Sequence, residues 1–287
     1  MSNNLRTLIT DAYENGKYTY STFRKLPAIA STAGYWVDLS MAPGTPKPNY
    51  YVGDERVATV PTAWYKQGLW HGGAVLPQKK YLHKISLLGA GAAANPAPYI
   101  LCDYLMYYSL IDMDSTDVQI LDNSLTSLPR YTTGEGVQAF LVATQPYIGG
   151  GRFQITYTNQ SGVSGRVSKI TTTNTSTYIG TIVNSNTAGL TNFGAFIELQ
   201  AGDRGIRSVQ SVNFFAANGG LASLVLVRPI ATIMIREATA FAEFDFIKDK
   251  PSIPRIYDDA YLNFLTMPNG TIAAVPIMGE ITTIWSS

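Results

Sequence analysis

This sequence predicts an all-β protein: an antiparallel β-sandwich or jelly roll with an extended N-terminal arm and a C-terminal extension. Three observations carry that reading. Leu224-Val225-Leu226-Val227 is an unbroken apolar run behind the turn Asn218-Gly219-Gly220, the pattern of a strand buried on both faces. Phe153-Gln154-Ile155-Thr156-Tyr157-Thr158 alternates strictly, so Phe153, Ile155 and Tyr157 share one face. Short strand signals separated by turn signals recur through the middle of the chain, as antiparallel sandwiches require.

Taken in order, Ser2 to Tyr13 reads as a short amphipathic helix with Leu5, Leu8, Ile9 and Tyr13 on one face. From Pro27 to Pro77, prolines and glycines recur too densely for long helices or central strands. Yet Trp36, Trp64 and Trp70 lie here with Tyr35, Tyr50, Tyr51 and Tyr65, and disordered linkers are poor in aromatic residues. Two readings fit: an arm pinned to another surface by its rings, or an irregular flank packed on its own domain. On the first, residues 1–80 form an arm and Trp36, Tyr50, Tyr51, Trp64 and Trp70 are interface residues.

Residues 81–249 form the sandwich. Strand signals cover Lys84–Leu88, Tyr99–Leu110, Gly136–Thr144 and Phe153–Thr158, with Val163–Ile170 as a returning strand after the turn Asn159-Gln160-Ser161-Gly162. The Thr-, Asn- and Ser-rich stretch that follows allows short strands at Tyr178-Ile179 and Ile182-Val183. Phe193–Leu199 and Ile206–Phe215 are two more, the second turning at Asn218-Gly219 into Leu221–Val227. Arg228-Pro229 then predicts a corner, since proline is confined to strand starts, edges or bulges. Residues 250–287 form the extension. Met267-Pro268-Asn269-Gly270 signals a hairpin between Leu262–Thr266 and Thr271–Val275, and Ile281, Ile284 and Trp285 give an apolar tail that packs on its own domain or on a neighbour.

The composition excludes several functions. A net charge of +1 and a charged fraction of 14%, against about 25% in ordinary domains, lack the basic excess that nucleic-acid binding needs. The apolar stretch Leu221–Ile235 is broken by Arg228-Pro229, so no membrane span is expected. Asp11 and Glu14 fall where a secretion signal would be apolar, which points to synthesis in a cytoplasm. Cys102, alone in its type, sits in an apolar run as a buried inert thiol.

Motifs for chemistry fail on their surroundings. Gly89-Ala90-Gly91 follows a strand as in a dinucleotide loop, but Asn95-Pro96-Ala97-Pro98 stops the helix such a loop needs. Asp112, Asp114 and Asp117 are spaced as in a calcium loop that lacks its glycine and final carboxylate, so a solvated turn is expected. His71, His83 and Cys102 have no zinc spacing, and Gly162-Val163-Ser164-Gly165-Arg166 misses the last glycine of a nucleophile elbow. No catalytic residue, cofactor or metal ligand is expected, and no enzyme.

Low charge, Thr/Asn/Gly-rich strands such as Gly149-Gly150-Gly151-Arg152-Phe153-Gln154-Ile155-Thr156-Tyr157-Thr158-Asn159, and a proline- and aromatic-rich flank resemble the decoration (cement) proteins of tailed-phage capsids and related β-rich virion proteins. The resemblance implies a jelly roll or related sandwich, self-association with trimers favoured, and a place on the capsid surface against the major capsid protein lattice. Trp285 then joins the N-terminal rings as an interface residue. A minor capsid, collar or tail protein is the nearer alternative, and a carbohydrate-binding module with exposed rings is the more distant one.

Overall fold

The computed structural model of the chain describes residues 5–28, 30–61, 68–185, 194–249 and 252–286. With 42% strand and 7% helix the protein is all-β, and its ladders are antiparallel. One helix, α1 (Leu5–Glu14), precedes the strands. The longer strands are β1 (Tyr18–Lys25), β2 (Lys80–Gly89), β3 (Ala97–Asp112), β4 (Gln138–Ala143) and β5 (Arg152–Asn159). They continue as β6 (Ile206–Phe214), β7 (Leu221–Ile235), β8 (Ala242–Asp245), β9 (Leu262–Thr266) and β10 (Ile277–Trp285).

Among the described residues these strands make three sheets. The central one runs Val37–Asp38, β9, β3, β7, β4. The terminal sheet runs β8, β2, β10, β1, Gly44–Thr45, and a third runs Arg166–Val167, β5, β6, Gln119–Ile120. The terminal sheet draws β1 from the predicted arm, β8 from the predicted sandwich and β10 from the predicted extension, and the boundary at residue 80 falls inside β2.

β3 and β7 are long enough to serve two cores. Toward one end, Tyr99, Leu101, Ile233 and Ile235 pack with Leu82, Ile85, Leu87, Ile277 and Ile281 of the terminal sheet. Toward the other, Met106, Tyr108, Leu224 and Leu226 pack with Phe153, Ile155, Tyr157, Val209 and Val212 of the third sheet. A one-residue slip reverses the face on which side chains emerge, so the change from odd to even numbering needs an extra residue in each strand. The bulges at Leu105 and at Ile230 supply them. The opposite face of the central sheet, with Cys102, Tyr104, Val225 and Val227, is covered by Trp36, Met41 and Tyr51. Burying each such aliphatic or aromatic side chain contributes about 1.5–3 kcal/mol before ordering entropy is deducted.

Several local expectations are corrected here. β7 passes straight through Arg228-Pro229, because Pro229 sits beside the Ile230 bulge and just past the end of the β4 ladder at Val227↔Gln138. The absent N–H therefore breaks no ladder to β4. Asn218-Gly219-Gly220 is an arch between sheets and not a hairpin turn, since β6 and β7 belong to different sheets. Asn218 is buried there and bonds the Gly151 N–H at 3.0 Å and the Thr173 hydroxyl at 2.9 Å. Gly220 has φ 73°, and a side chain there would come within 2.3 Å of the Pro146 carbonyl oxygen.

Thr271–Val275 does not return along β9, whose outer edge is already taken by Val37–Asp38. Its backbone instead reaches the N-terminal flank, with Ala274 N–H on the Pro27 carbonyl at 2.8 Å. The returning strand expected at 163–170 shrinks to Arg166–Val167, with Thr171–Thr172 also on β5. Phe193 lies outside the described residues. Gly194–Leu199 is not a strand, although Ile197 N–H bonds the Ala139 carbonyl at 2.8 Å. Ile182 makes only an isolated bridge to Val142.

Candidate interaction face

The outer face of the terminal sheet is built from both ends of the chain. β10 pairs with β1 on one side and β2 on the other, so Tyr20 lies opposite Thr282, and Thr282 opposite Lys84. In β1, Phe23 and Lys25 point inward and are buried, while Tyr18, Tyr20, Thr22 and Arg24 point outward and are exposed. At one end α1 covers this face, with Leu8 and Ala12 packed on Ile284.

The helix brings Tyr13 to the sheet. Its ring stacks on Tyr18 with centroids 6.4 Å apart and meets His83 edge-on at 5.8 Å. The Tyr13 hydroxyl lies 2.9 Å from His83 Nδ1, and His83 Nε2 lies 3.5 Å from an Asp245 oxygen. Those partners fix one tautomer: Nε2 carries the proton toward the carboxylate and Nδ1 accepts from the phenol. Burial holds the His83 pKa below its ordinary value, with Asp245 opposing, so the neutral ring is the resident form at pH 7. Tyr20 donates to Glu280 at 2.5 Å, and the Ser21 hydroxyl donates to the Trp70 carbonyl, which sets Trp70 beside the same strand. Tyr13, Tyr18, Tyr20 and Trp70 remain 58%, 49%, 54% and 45% exposed. Tyr13, Tyr18 and Tyr20 are thus held in place yet left half open, on a face whose strand β10 is laddered on both sides.

The residues singled out from the sequence divide. Trp70 is exposed beside β1, but it is reached by Ser21, which points to the side opposite Tyr18 and Tyr20, so it stands apart from this row. Tyr50 is 55% exposed but lies elsewhere, at the rim of an apolar hollow formed with Pro27, Met41 and Ile179. Trp285 is half-buried at the end of β10, opposite Lys80. Trp36 and Tyr51 are buried against the central sheet, and Trp64 lies outside the described residues. Tyr13, Tyr18 and Tyr20 were missed, although Tyr18-Thr19-Tyr20-Ser21-Thr22-Phe23 carries aromatic and β-branched residues in strand proportions.

Elsewhere, ionisable groups are enclosed. The Asp38 carboxylate accepts from Ser40 N–H at 2.8 Å, from the Ser40 hydroxyl at 2.7 Å, from Tyr104 at 2.7 Å and from Tyr51. Burial raises its pKa and these donors oppose the rise. Arg130 grips Asp103 through two bonds of 2.8 and 2.7 Å and reaches Asp259 at 3.0 Å. The Lys25 amine donates to the Ala42 and Pro46 carbonyls at 3.0 and 2.9 Å, and burial lowers its pKa to about 8. Asp38, Asp103, Arg130 and Lys25 are buried and tie the flank and loops to the sheets.

Asp112 accepts from Asp114 N–H at 2.9 Å in an ordinary side-chain turn. Among the described residues, no group of three or more His, Cys, Asp or Glu side chains is placed to hold a metal ion. No described helix is long and apolar enough to cross a membrane.

No protein-family model, curated protein or solved structure matches this chain. Its function is read from the geometry of this face.

Proposed function

We propose that the protein is a structural part of a virion, adding to the outside of a phage capsid lattice as a decoration protein and associating with copies of itself, trimers favoured. The half-open row Tyr13, Tyr18 and Tyr20 on the terminal sheet supports this reading. Aromatic side chains are enriched where protein interfaces concentrate their binding energy, and such rings lose little freedom on docking. A shell-binding protein stabilises the assembled lattice by mass action, because it binds the shell and not its dissociated parts. A jelly-roll connection of the sheets belongs to this reading, as do synthesis in the host cytoplasm and a final position on the capsid surface.

Deleting residues 1–80 cannot test the idea, since it removes β1 from the terminal sheet. The double variant Tyr18→Thr/Tyr20→Thr keeps β-branched residues in the strand. Its copy number on purified particles should fall about tenfold or more, the loss expected when about 1.4 kcal/mol of contact per copy disappears. Undiminished occupancy by a folded variant would remove the proposal. A copy number too low to cover the lattice, in wild type, would move the protein to a collar, tail or minor capsid position. The same rings suit a carbohydrate, whose sugar faces stack on tyrosine; binding on a glycan array that both substitutions abolish would favour that reading instead.

A further inference from the structure

Lys80 opens β2, and its side chain is fully buried. Arg255–Ile256 pairs with that end of the strand, Ile256 opposite Lys80, and Asp258 follows just beyond. Lys80 Nζ lies 3.3 Å from Asp258 Oδ1 and 2.7 Å from the Gly73 carbonyl oxygen. His71 Nδ1 lies 3.4 Å from the same nitrogen. The Ala260 carbonyl, 2.9 Å from His71 Nε2, can only accept, so Nε2 carries the ring proton and the Nδ1 lone pair faces Nζ. On the far side of the carboxyl group, Asp258 Oδ2 accepts the Val75 N–H at 3.2 Å.

An ion pair is the ordinary outcome of a lysine beside an aspartate, and two features set this one apart. Asp258 Oδ1 is enclosed and in contact with Nζ, yet it accepts no hydrogen bond, whereas Oδ2 does. The surrounding groups are also those of an acyl transfer. There is a nitrogen nucleophile, a base touching it, a carbonyl that orients the base, and an N–H beside the oxygen that takes up negative charge when the carboxyl carbon is attacked. Burial lowers the Lys80 pKa against the opposing charge of Asp258, which brings the neutral amine within reach. Burial and the Lys80 charge hold the His71 pKa near 4, so its ring is neutral and basic at pH 7.

We infer that Lys80 and Asp258 condense with each other into an intramolecular amide bond, with His71 as the base. The Lys80 ammonium first passes a proton to Asp258 Oδ1, which leaves a neutral amine against a neutral acid. Nζ then attacks Cγ, and the C=O electron pair moves onto Oδ2, facing the Val75 N–H. His71 Nδ1 takes a proton from the new C–N nitrogen and returns it to Oδ1, which departs as water while the C=O re-forms. The Nζ–Cγ bond is made, the Cγ–Oδ1 bond is broken, and no oxidant or other co-reactant is consumed. Groups held in reacting geometry behave as though present at about 10⁵–10⁸ M, which is how a condensation disfavoured in dilute water can proceed inside a fold. The bond would staple the start of β2 in the terminal sheet to the segment leading into β9 of the central one. Such a crosslink stabilises by restricting the unfolded chain. The inference does not depend on the virion reading or on the tyrosine face.

The test is the mass of the intact full chain, purified folded and then denatured, followed by a protease digest. The wild-type chain should be lighter than its sequence by one water, and the digest should contain one branched peptide joining Lys80 to Asp258. A chain that keeps its full mass after prolonged incubation in native buffer overturns the inference. So does a lost water confined to a linear peptide, which would mean that the aspartate had cyclised on its own backbone. In His71→Asn the crosslinked fraction, followed in time after cell-free synthesis, should accumulate about a hundredfold more slowly, the low end of what a positioned base contributes. An unchanged rate in that variant, shown to be folded by circular dichroism, overturns the role given to His71. The wild-type mass and digest decide the bond itself even where the variant fails to fold.

Discussion

Trp36 and Tyr51 on the central sheet, and Tyr18, Tyr20 and Trp70 on the terminal sheet, are the same kinds of side chain with opposite fates. The first pair is buried under its own flank, and the second group stands half open. The difference lies in what the polar ends and the neighbouring backbone can reach. Tyr51 and Tyr104 can be enclosed because Asp38 accepts both hydroxyls, and the Trp36 backbone N–H is tied to Ser185 Oγ at 3.1 Å. On the outer face of β1 no described element is laid over Tyr20, and its hydroxyl turns sideways to Glu280. An aromatic-rich sequence thus supplies both a core and a contact surface, and the polar partners decide which.

If that contrast is right, the enclosed side should fail hardest when a polar partner is removed. Asp103→Ala leaves the Arg130 guanidinium, only 5% exposed, without its two-bond partner and takes an acceptor from the Tyr261 N–H. The expected loss is about 3–5 kcal/mol in denaturant unfolding, the range for breaking a buried pair by removing one member. A loss below about 1 kcal/mol would show that Asp259 and water replace the carboxylate, and the two faces would then differ less than their burial suggests.

A second experiment probes the seam between the two environments, where buried His71 adjoins exposed Trp70. His71 Nε2 faces the Ala260 carbonyl at 2.9 Å and Nδ1 faces the Lys80 amine at 3.4 Å. Burial, reinforced by the Lys80 charge, lowers its pKa from 6.5 to about 4. The unfolded chain therefore binds a proton that the folded one refuses until about pH 4. Stability present above pH 6.5 is lost as pH falls from about 6.5 toward 4, by at most about 1.4 kcal/mol per unit. His71→Asn should flatten the stability profile in that window; identical slopes in both proteins would clear this histidine of the effect. The Asp203 carboxyl, whose pKa is lowered to about 2, has its own acid loss below this window.

The central strands were legible because burial on both faces leaves an unmistakable apolar run, as at Leu224–Val227, and burial on one face leaves alternation, as at Phe153–Thr158. β1 was not, because its outward residues are two tyrosines, a threonine and an arginine and its inward ones end in Lys25, so no apolar period stands out. That same pattern hid the candidate face. Tyrosine counts as core or as surface until its neighbours are known, and the neighbours of Tyr18 and Tyr20 come from β10, more than two hundred residues away in sequence. Pro229 misled for a related reason: whether a proline ends a strand depends on whether a partner needs its N–H, and the β4 ladder had already stopped at Val227.

The smallest expected effect is the most discriminating. Tyr20→Thr removes a half-exposed ring and a hydrogen bond to Glu280 that water can replace, while keeping a β-branched side chain in a strand paired on one side to β10. Substitutions at such sites usually shift stability within about 0.5 kcal/mol. Tyr51→Phe, by contrast, strips one donor from a fully enclosed carboxylate, so thermal unfolding of the two variants side by side should separate them clearly. Were Tyr20→Thr to destabilise the protein as much as Asp103→Ala, the outer face would be part of the folding core, and the reason for reading it as a docking surface would be gone.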